Sequence, residues 1–348
     1  MRTAITHSRQ SGVSLVELLV GMVLGIMLIV GAVAVYLASK RSYVEVEQVA
    51  ALTENARFVQ KLMNDSLRHA GFFGEVPARM VDRDPNLTLV EGNCLGPADA
   101  HNLNQFVFAA PIDNANIKDC IKDPYVPPGG FVNDVLVVKH VLPRPLLDSP
   151  RPHDPAEDDY EIGFDGEGKL QDDKTYVMTN NISGVMFDGN DAPPDIKPGG
   201  AMPNSSAWEY QYEVFYVSKD PDADEDAPPQ LSRRVLVWKD DHMELETEEV
   251  AEGVENLRLL FGFDDDDDGD VDRYTNSAEV TDWSQVDSVE VYMLVRSATT
   301  DPQYTDQKTY QLGDEAVTPL ADERNFRRLL VFTSVSMRNL QLIIRGGA

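Results

Sequence analysis

The sequence predicts an α+β protein in which one long N-terminal helix packs on a predominantly antiparallel β-sheet domain with long loops. Three observations carry that expectation. An apolar run near the N-terminus continues into a periodic stretch, and no proline interrupts the chain before Pro77. Helical periodicity of any length is then gone, and short runs rich in β-branched and aromatic residues take over. Polar segments rich in proline and glycine separate those runs, notably over 148–173, 189–206 and 219–230, and loops of that length are usually functional or mobile.

Taken in order, residues 1–12 read as a leader in which Arg2 and Arg9 are the only charges. From Leu18 to Ser39 no residue is charged. About 20 apolar residues rising about 1.5 Å each cover a hydrocarbon core of roughly 30 Å, so 13–39 can span a membrane as the first half of a stem. The run is too long for a removable secretory signal, and no small-residue cleavage site follows it. Residues 40–74 read as the amphipathic second half. Val49, Leu52, Ala56, Val59, Met63, Leu67 and Ala70 form one stripe, opposed by Glu54, Arg57, Gln60, Lys61 and Asp65. A single helix from Val13 to His69 would be on the order of 85 Å long. Gly71, Phe72, Phe73 and Gly74 read as its stop. Gly21 and Gly25 form a small-xxx-small pair, a weak signal for close stem contact.

Residues 75–348 read as a β-rich domain, roughly 275 residues and enough for a sizeable core. Strands are expected around QFVFAA from Gln105, DVLVVKHVL from Asp134, YVMT from Tyr176 and EYQYEVFYV from Glu209. They continue with RRVLVWK from Arg233, VENLRLLFGF from Val254, SVEVYMLVRS from Ser288 and LLVFTSVSM from Leu329.

The 59 acidic residues against 30 Lys and Arg give a formal net charge of −29, and loss of the leader would remove two positive charges more. Such a surface argues against a nucleic-acid partner and suits cations, basic partners or a saline habitat. Catalysis finds no support either. The six histidines are scattered, and none stands in H-E-x-x-H. There is no G-x-S-x-G, no phosphate-cradling G-x-x-x-x-G-K-[ST], and no G-x-G-x-x-G after a strand. Asp240, Asp241 and His242, with Glu244 and Glu246, read as an exposed charged turn. The protein is expected not to be an enzyme.

Two further features concern stability. Cys94 and Cys120 are the only cysteines. In an oxidising compartment such a pair reads most simply as one disulfide, worth about 2–4 kcal/mol, although spacing leaves two separate buried thiols open. In FGFDDDDDGDVDRY, from Phe261, Gly269 marks a turn that puts Asp264, Asp266 and Asp268 at loop positions 1, 3 and 5. Asp270 and Asp272 follow at 7 and 9, a spacing of hard oxygens that suits a structural Ca²⁺. Position 12 is Thr275 instead of the bidentate Glu of an EF-hand. The other reading is a solvated acidic turn.

Glu17 is the anomaly of the apolar run, because a carboxylate within a span costs about 2.5–3.5 kcal/mol unless it sits at the interface or finds a partner. The stretch S-G-V-S-L-V-E around it resembles the processing site of type IV prepilins, and the fold expectation becomes pilin-like. The resemblance implies that a prepilin peptidase cuts between Gly12 and Val13 and methylates the new amine. Glu17 would then be the fifth mature residue, paired with the amine of a neighbouring subunit to set register. Val13 stands where that family usually has Phe.

GVENLRLLFGFDDDDDGDVDRY and the run from Trp283 to Ser297, with RFVQKLMNDSLRHAGFFG and FRRLLVFTSVSMRN, resemble PilW-type minor pilins. Trp283, Val286, Val289, Val291 and Met293 are candidate core anchors, and Arg327, Arg328 and Arg338 candidate ion-pair partners. The resemblance implies a minor pilin of the initiation or tip complex, serving pilus biogenesis and pilus-dependent adhesion or motility. Its partners would be the prepilin peptidase, other minor pilins, the major pilin and a tip adhesin. It would sit in the inner membrane as a single-pass protein with a periplasmic domain, then in the pilus. A minor pseudopilin of type II secretion shares the stem and Glu. A permanently anchored, calcium-dependent periplasmic binding protein would keep its leader.

Overall fold

Helix α1 runs from Leu15 to His69. The computed structural model describes residues 12, 14–148, 162–163, 170–191, 193–196, 199–224, 227–239, 242–266 and 268–337. The chain divides into two units after Ala51. In the first, α1 turns its apolar side chains outward: Leu15, Leu28 and Val35 are 73%, 75% and 67% exposed. Water does not tolerate a row of such residues, and this helix is long and apolar enough to cross a membrane.

The second unit opens at Leu52. There α1 buries Leu52, Ala56, Val59, Met63 and Leu67, the stripe read from spacing. Val49, expected in that stripe, lies 44% exposed, so the buried face starts one turn later. At Gly71, with φ +74°, the chain leaves the helix, and its N–H donates to the Lys139 carbonyl. A Cβ there would lie 2.7 Å from the Phe106 ring, which makes the position doubly a glycine's.

The principal strands are β1 (Val107–Pro111), β2 (Asp134–Val141), β3 (Thr175–Thr179), β4 (Gly184–Asp188), β5 (Ser206–Ser218) and β6 (Gln230–Lys239). They continue with β7 (His242–Glu252), β8 (Val254–Phe263), β9 (Arg273–Asn276), β10 (Ser288–Arg296) and β11 (Arg328–Ser336). All eight expected runs form strands. In the larger sheet β4, β3, β5, β6 and β7 lie side by side, with β2 on β5 and β1 on β2. A second sheet runs β9-β8-β10-β11. The ladders between these strands are antiparallel; the parallel pairings involve the short segments Val81–Arg83 and Val90–Glu91. The length of β5 lets it serve three of the principal strands, β3 from Ser206 to Glu209, β2 from Tyr210 to Phe215 and β6 from Glu213 to Ser218, besides the short segment at Leu147 that pairs with Ala207.

Strand β7 corrects the sequence reading of a charged turn. His242, Glu244 and Glu246 lie on it, and it pairs along the whole of one flank of β6 as an acid-rich strand, while Asp240 and Asp241 lie outside the described residues. Glutamate has little β propensity, but cross-strand partners override it: Arg233 reaches Glu248 at 2.6 Å and Lys239 reaches Glu244 at 3.0 Å.

Every residue of β2 and β8 is buried, so their polar members must find partners. Lys139 Nζ donates to the carbonyls of Pro97 and Asn102, each at 3.0 Å, and burial lowers its amine to about 7. Trp283 joins the two sheets, with its ring 5.2 Å from Phe108 of β1 and 4.8 Å from Phe261 of β8. Val286, Val289, Val291 and Met293 are buried as expected.

Asp134, at the start of β2, accepts from the Leu259 N–H at 2.9 Å and the Ser277 hydroxyl at 2.7 Å. Burial outweighs these bonds and the Arg258 charge and pushes its carboxyl up to about 6. The folded value lies above the unfolded one of about 3.9, so the folded chain binds more protons between roughly pH 4 and 6 and gains stability as pH falls through that window. Asp134→Asn keeps an acceptor and removes the titration. Denaturant titrations of the full chain at pH 7 and pH 4 are expected to show the parent gaining about 2–3 kcal/mol relative to the variant.

Candidate functional site

Gly12 is exposed, and Ser14 opens the helix by accepting the Leu18 N–H at 3.1 Å. Val13 and Arg338 lie outside the described residues. Glu17 sits in the first turn of α1 and is exposed among apolar neighbours. At that end unpaired N–H groups and the helix dipole favour a carboxylate. No ion-pair partner for it occurs among the described residues.

In the second unit a polar cluster ties the last turns of α1 to the sheet. Ser66 donates to the Glu213 carboxylate at 2.5 Å, His140 Nε2 lies 3.6 Å from the same oxygen, and Arg233 holds the other oxygen at 2.6 Å. The His69 ring stands 5.7 Å from that of His140. Burial acts to raise the Glu213 carboxyl. Bonds from His140 and Ser66, with the charges of His140 and Arg233, outweigh it and hold the group below the usual carboxylate range. Sequence reading did not find this cluster. Its members stand far apart in the chain, and the one hint was Glu213 inside the stretch of β5 from Tyr212 to Val217, which is otherwise apolar and aromatic.

Between β8 and β9 the acidic loop folds on itself. Asp264, Asp266 and Asp268 each bring one carboxylate oxygen within 4.8 Å of the others. Asp264 accepts the N–H groups of Asp268 and Gly269 at 3.1 and 2.8 Å, and Gly269 makes the turn with φ +97°. The Asp266 carboxyl accepts the Asp268 N–H, but the charges of Asp268, Asp272 and Asp264 prevail and hold it above the usual range. The cluster does not include Asp270 or Asp272. Asp270 donates its N–H to Asp268 at 2.8 Å, and Asp272 accepts the Asp265 N–H at 2.8 Å. Three hard oxygens converging in this way fit a cation such as Ca²⁺ in donor chemistry. Arg273 braces the loop, 2.8 Å from Asp265 and 4.3 Å above the Phe263 ring.

Cys94 and Cys120 are joined in a disulfide, with Cα atoms 5.0 Å apart. Arg327 pairs with Asp301 at 2.9 Å and Arg328 with Glu255 at 2.5 Å.

Residues 214–339 match the family Type IV Pilus-assembly protein W. That stretch takes in the end of β5, strands β6 to β11 and the acidic loop. No curated protein and no solved structure matches the chain. The match supports a PilW-type pilus protein and, with it, a part in type IV pilus assembly.

Proposed function

We propose that the protein, PilW-type over residues 214–339, is a minor pilin that acts in the initiation or tip complex of a type IV pilus. The observation that carries this reading is the presence, in one chain with that region, of a 55-residue helix that is apolar over its first half and holds Glu17 in its first turn. A peptidase cut between Gly12 and Val13 creates a methylated amine on a chain held in the inner membrane, with the β domain outside the cytoplasm. Glu17 then meets the amine of a neighbouring stem and sets register, because a carboxylate in lipid needs an opposite charge. The partners are the peptidase, other minor pilins, the major pilin and a tip adhesin, and the pilus serves adhesion or motility. The acidic surface disfavours nucleic acid.

The test is intact mass spectrometry of the membrane-extracted protein. The chain is expected to begin at N-methylated Val13 in cells with prepilin peptidase and at Met1 in cells without it. A chain beginning at Met1 in both overturns the proposal.

The converging carboxylates of Asp264, Asp266 and Asp268 support a structural Ca²⁺ in the same domain. Added Ca²⁺ is expected to raise Tm by about 3–8 °C over chelator, for a site filled to about 100 Kd. Asp266→Asn should abolish the shift. Equal melting curves with and without the ion remove calcium from the account.

A further inference from the structure

The C-terminal sheet ends in an edge strand, β11, that from Leu329 onward carries no charge, proline or bulge, and of which α1 caps one outward carbonyl through Gln60. Among the described residues β11 pairs with β10 alone, without a register shift. Ser297 N–H to Arg327 O and Met337 N–H to Asp287 O bracket the ladder at 2.8 and 2.7 Å. In an antiparallel pair, hydrogen-bonded and non-bonded pairs alternate. The odd-numbered residues from 327 to 337 therefore bond β10, and Leu330, Phe332, Ser334 and Ser336 turn their N–H and C=O groups away from it. The Phe332 carbonyl follows that rule, accepting the side-chain N–H of Gln60 at 2.9 Å. From Leu329 to Met337 there is no charge, proline or glycine. Natural sheets normally protect such an edge with Lys, Pro or a bulge, since an unguarded one adds strands.

A second observation stands beside it on α1. Gln60 and Asn64 touch β11, Asn64 through Thr333 at 3.4 Å. At about 100° per residue, Arg57 and Lys61 fall next around the helix, on the side away from its buried stripe. Both are exposed, and neither pairs with a carboxylate among the described residues. Two unpaired cations along an open edge are unusual in a chain with 59 acidic residues. On the outer face of β11, Phe332 is 45% exposed and lies 4.9 Å from the Tyr292 ring.

We infer that the β11 edge, flanked by Arg57 and Lys61, takes up an extended acidic segment of a neighbouring subunit as an added strand. Main-chain bonds to Leu330, Ser334 and Ser336 hold it, the Phe332 carbonyl being taken by Gln60, while carboxylates meet the two cations and the Phe332 ring packs an apolar side chain. That the neighbour is a pilus subunit rests on the function proposed above; the edge itself does not.

The test places a photo-crosslinking amino acid at Ser336 of the full chain in piliated cells. The expected adduct maps to an acidic extended segment of another pilus subunit. Arg57→Glu with Lys61→Glu should lower its yield about ten-fold or more. Ser334→Pro should do the same, since it removes an outward N–H and leaves the ladder to β10 intact. Should the proline variant fail to fold, the charge reversal alone decides. No adduct, a yield indifferent to the charge reversal, or an adduct to a second copy or to residues 338–348 overturns the inference. Processing to Val13 in the same cells tells failure of the edge from failure of the pilin reading, which would then stand.

Discussion

Replacing Glu17 by Ala is expected to reduce incorporation of this subunit into pili about ten-fold or more, a loss of at least about 1.4 kcal/mol in the assembly equilibrium. The carboxylate lies in the first turn of an apolar helix and has no ion-pair partner among the described residues. Its charge is offset only if a cation arrives from elsewhere, and the methylated amine of a neighbouring stem is the candidate. Glu17→Gln keeps the shape without the charge and is expected to fail as Ala does. Neither change should move the melting temperature of the β domain, because that unit begins at Leu52. Immunogold counts of pili, with a melting curve of the extracted protein, separate the two effects. Normal incorporation of the Ala variant would sink the register role and leave Glu17 an ordinary interfacial carboxylate.

Arg328→Ala is expected to produce the largest loss of stability, about 3–5 kcal/mol. The arginine side chain is 1% exposed. It reaches Glu255 at 2.5 Å and Asp306 at 3.6 Å, and donates to the Glu323 carbonyl at 3.0 Å. Glu255 is already held above the usual carboxylate range, because burial outweighs the pull of Arg328. Asp306 accepts the Tyr310 hydroxyl at 2.9 Å. Removing the guanidinium strands two buried carboxylates, so the cost comes from uncompensated charge more than from the lost bonds. Two further results follow from that cause. Adding Glu255→Gln should recover part of the loss. The penalty should also shrink as pH falls, because the carboxyls then take up protons. Urea titrations of the single and double variants at pH 7 and pH 5 check both. An equal penalty at the two pH values would place the cost in packing instead.

Local pattern carried far in this chain. The eight β-branched runs became strands because alternation and length suffice where neighbours bury one or both faces. The stop at Gly71 was legible because few residues but glycine turn left-handed after a helix. Strand β7 was not legible: its glutamates become strand-formers only with Arg233 and Lys239 of β6 opposite. The acidic loop was read by spacing at positions 1, 3 and 5, and those carboxylates do converge. Asp270 and Asp272 are not among the three converging carboxylates; the Asp270 N–H donates to Asp268 and the Asp272 carboxylate accepts the Asp265 N–H.

The sequence by itself determined the apolar stem with its one carboxylate at the head, the strand set and the resemblance that the C-terminal match supports. All of these are written in consecutive residues, and periodicity, charge and short motifs are properties of the local chain. The tertiary structure alone decided which distant charges meet: Ser66, His140, Glu213 and Arg233 in one buried cluster, and Arg328 with Glu255 and Asp306 in another. It alone also left β11 at the rim of its sheet beside Gln60 and Asn64 of α1. Burial and edge position depend on the packing of segments far apart in sequence, and no local pattern encodes them.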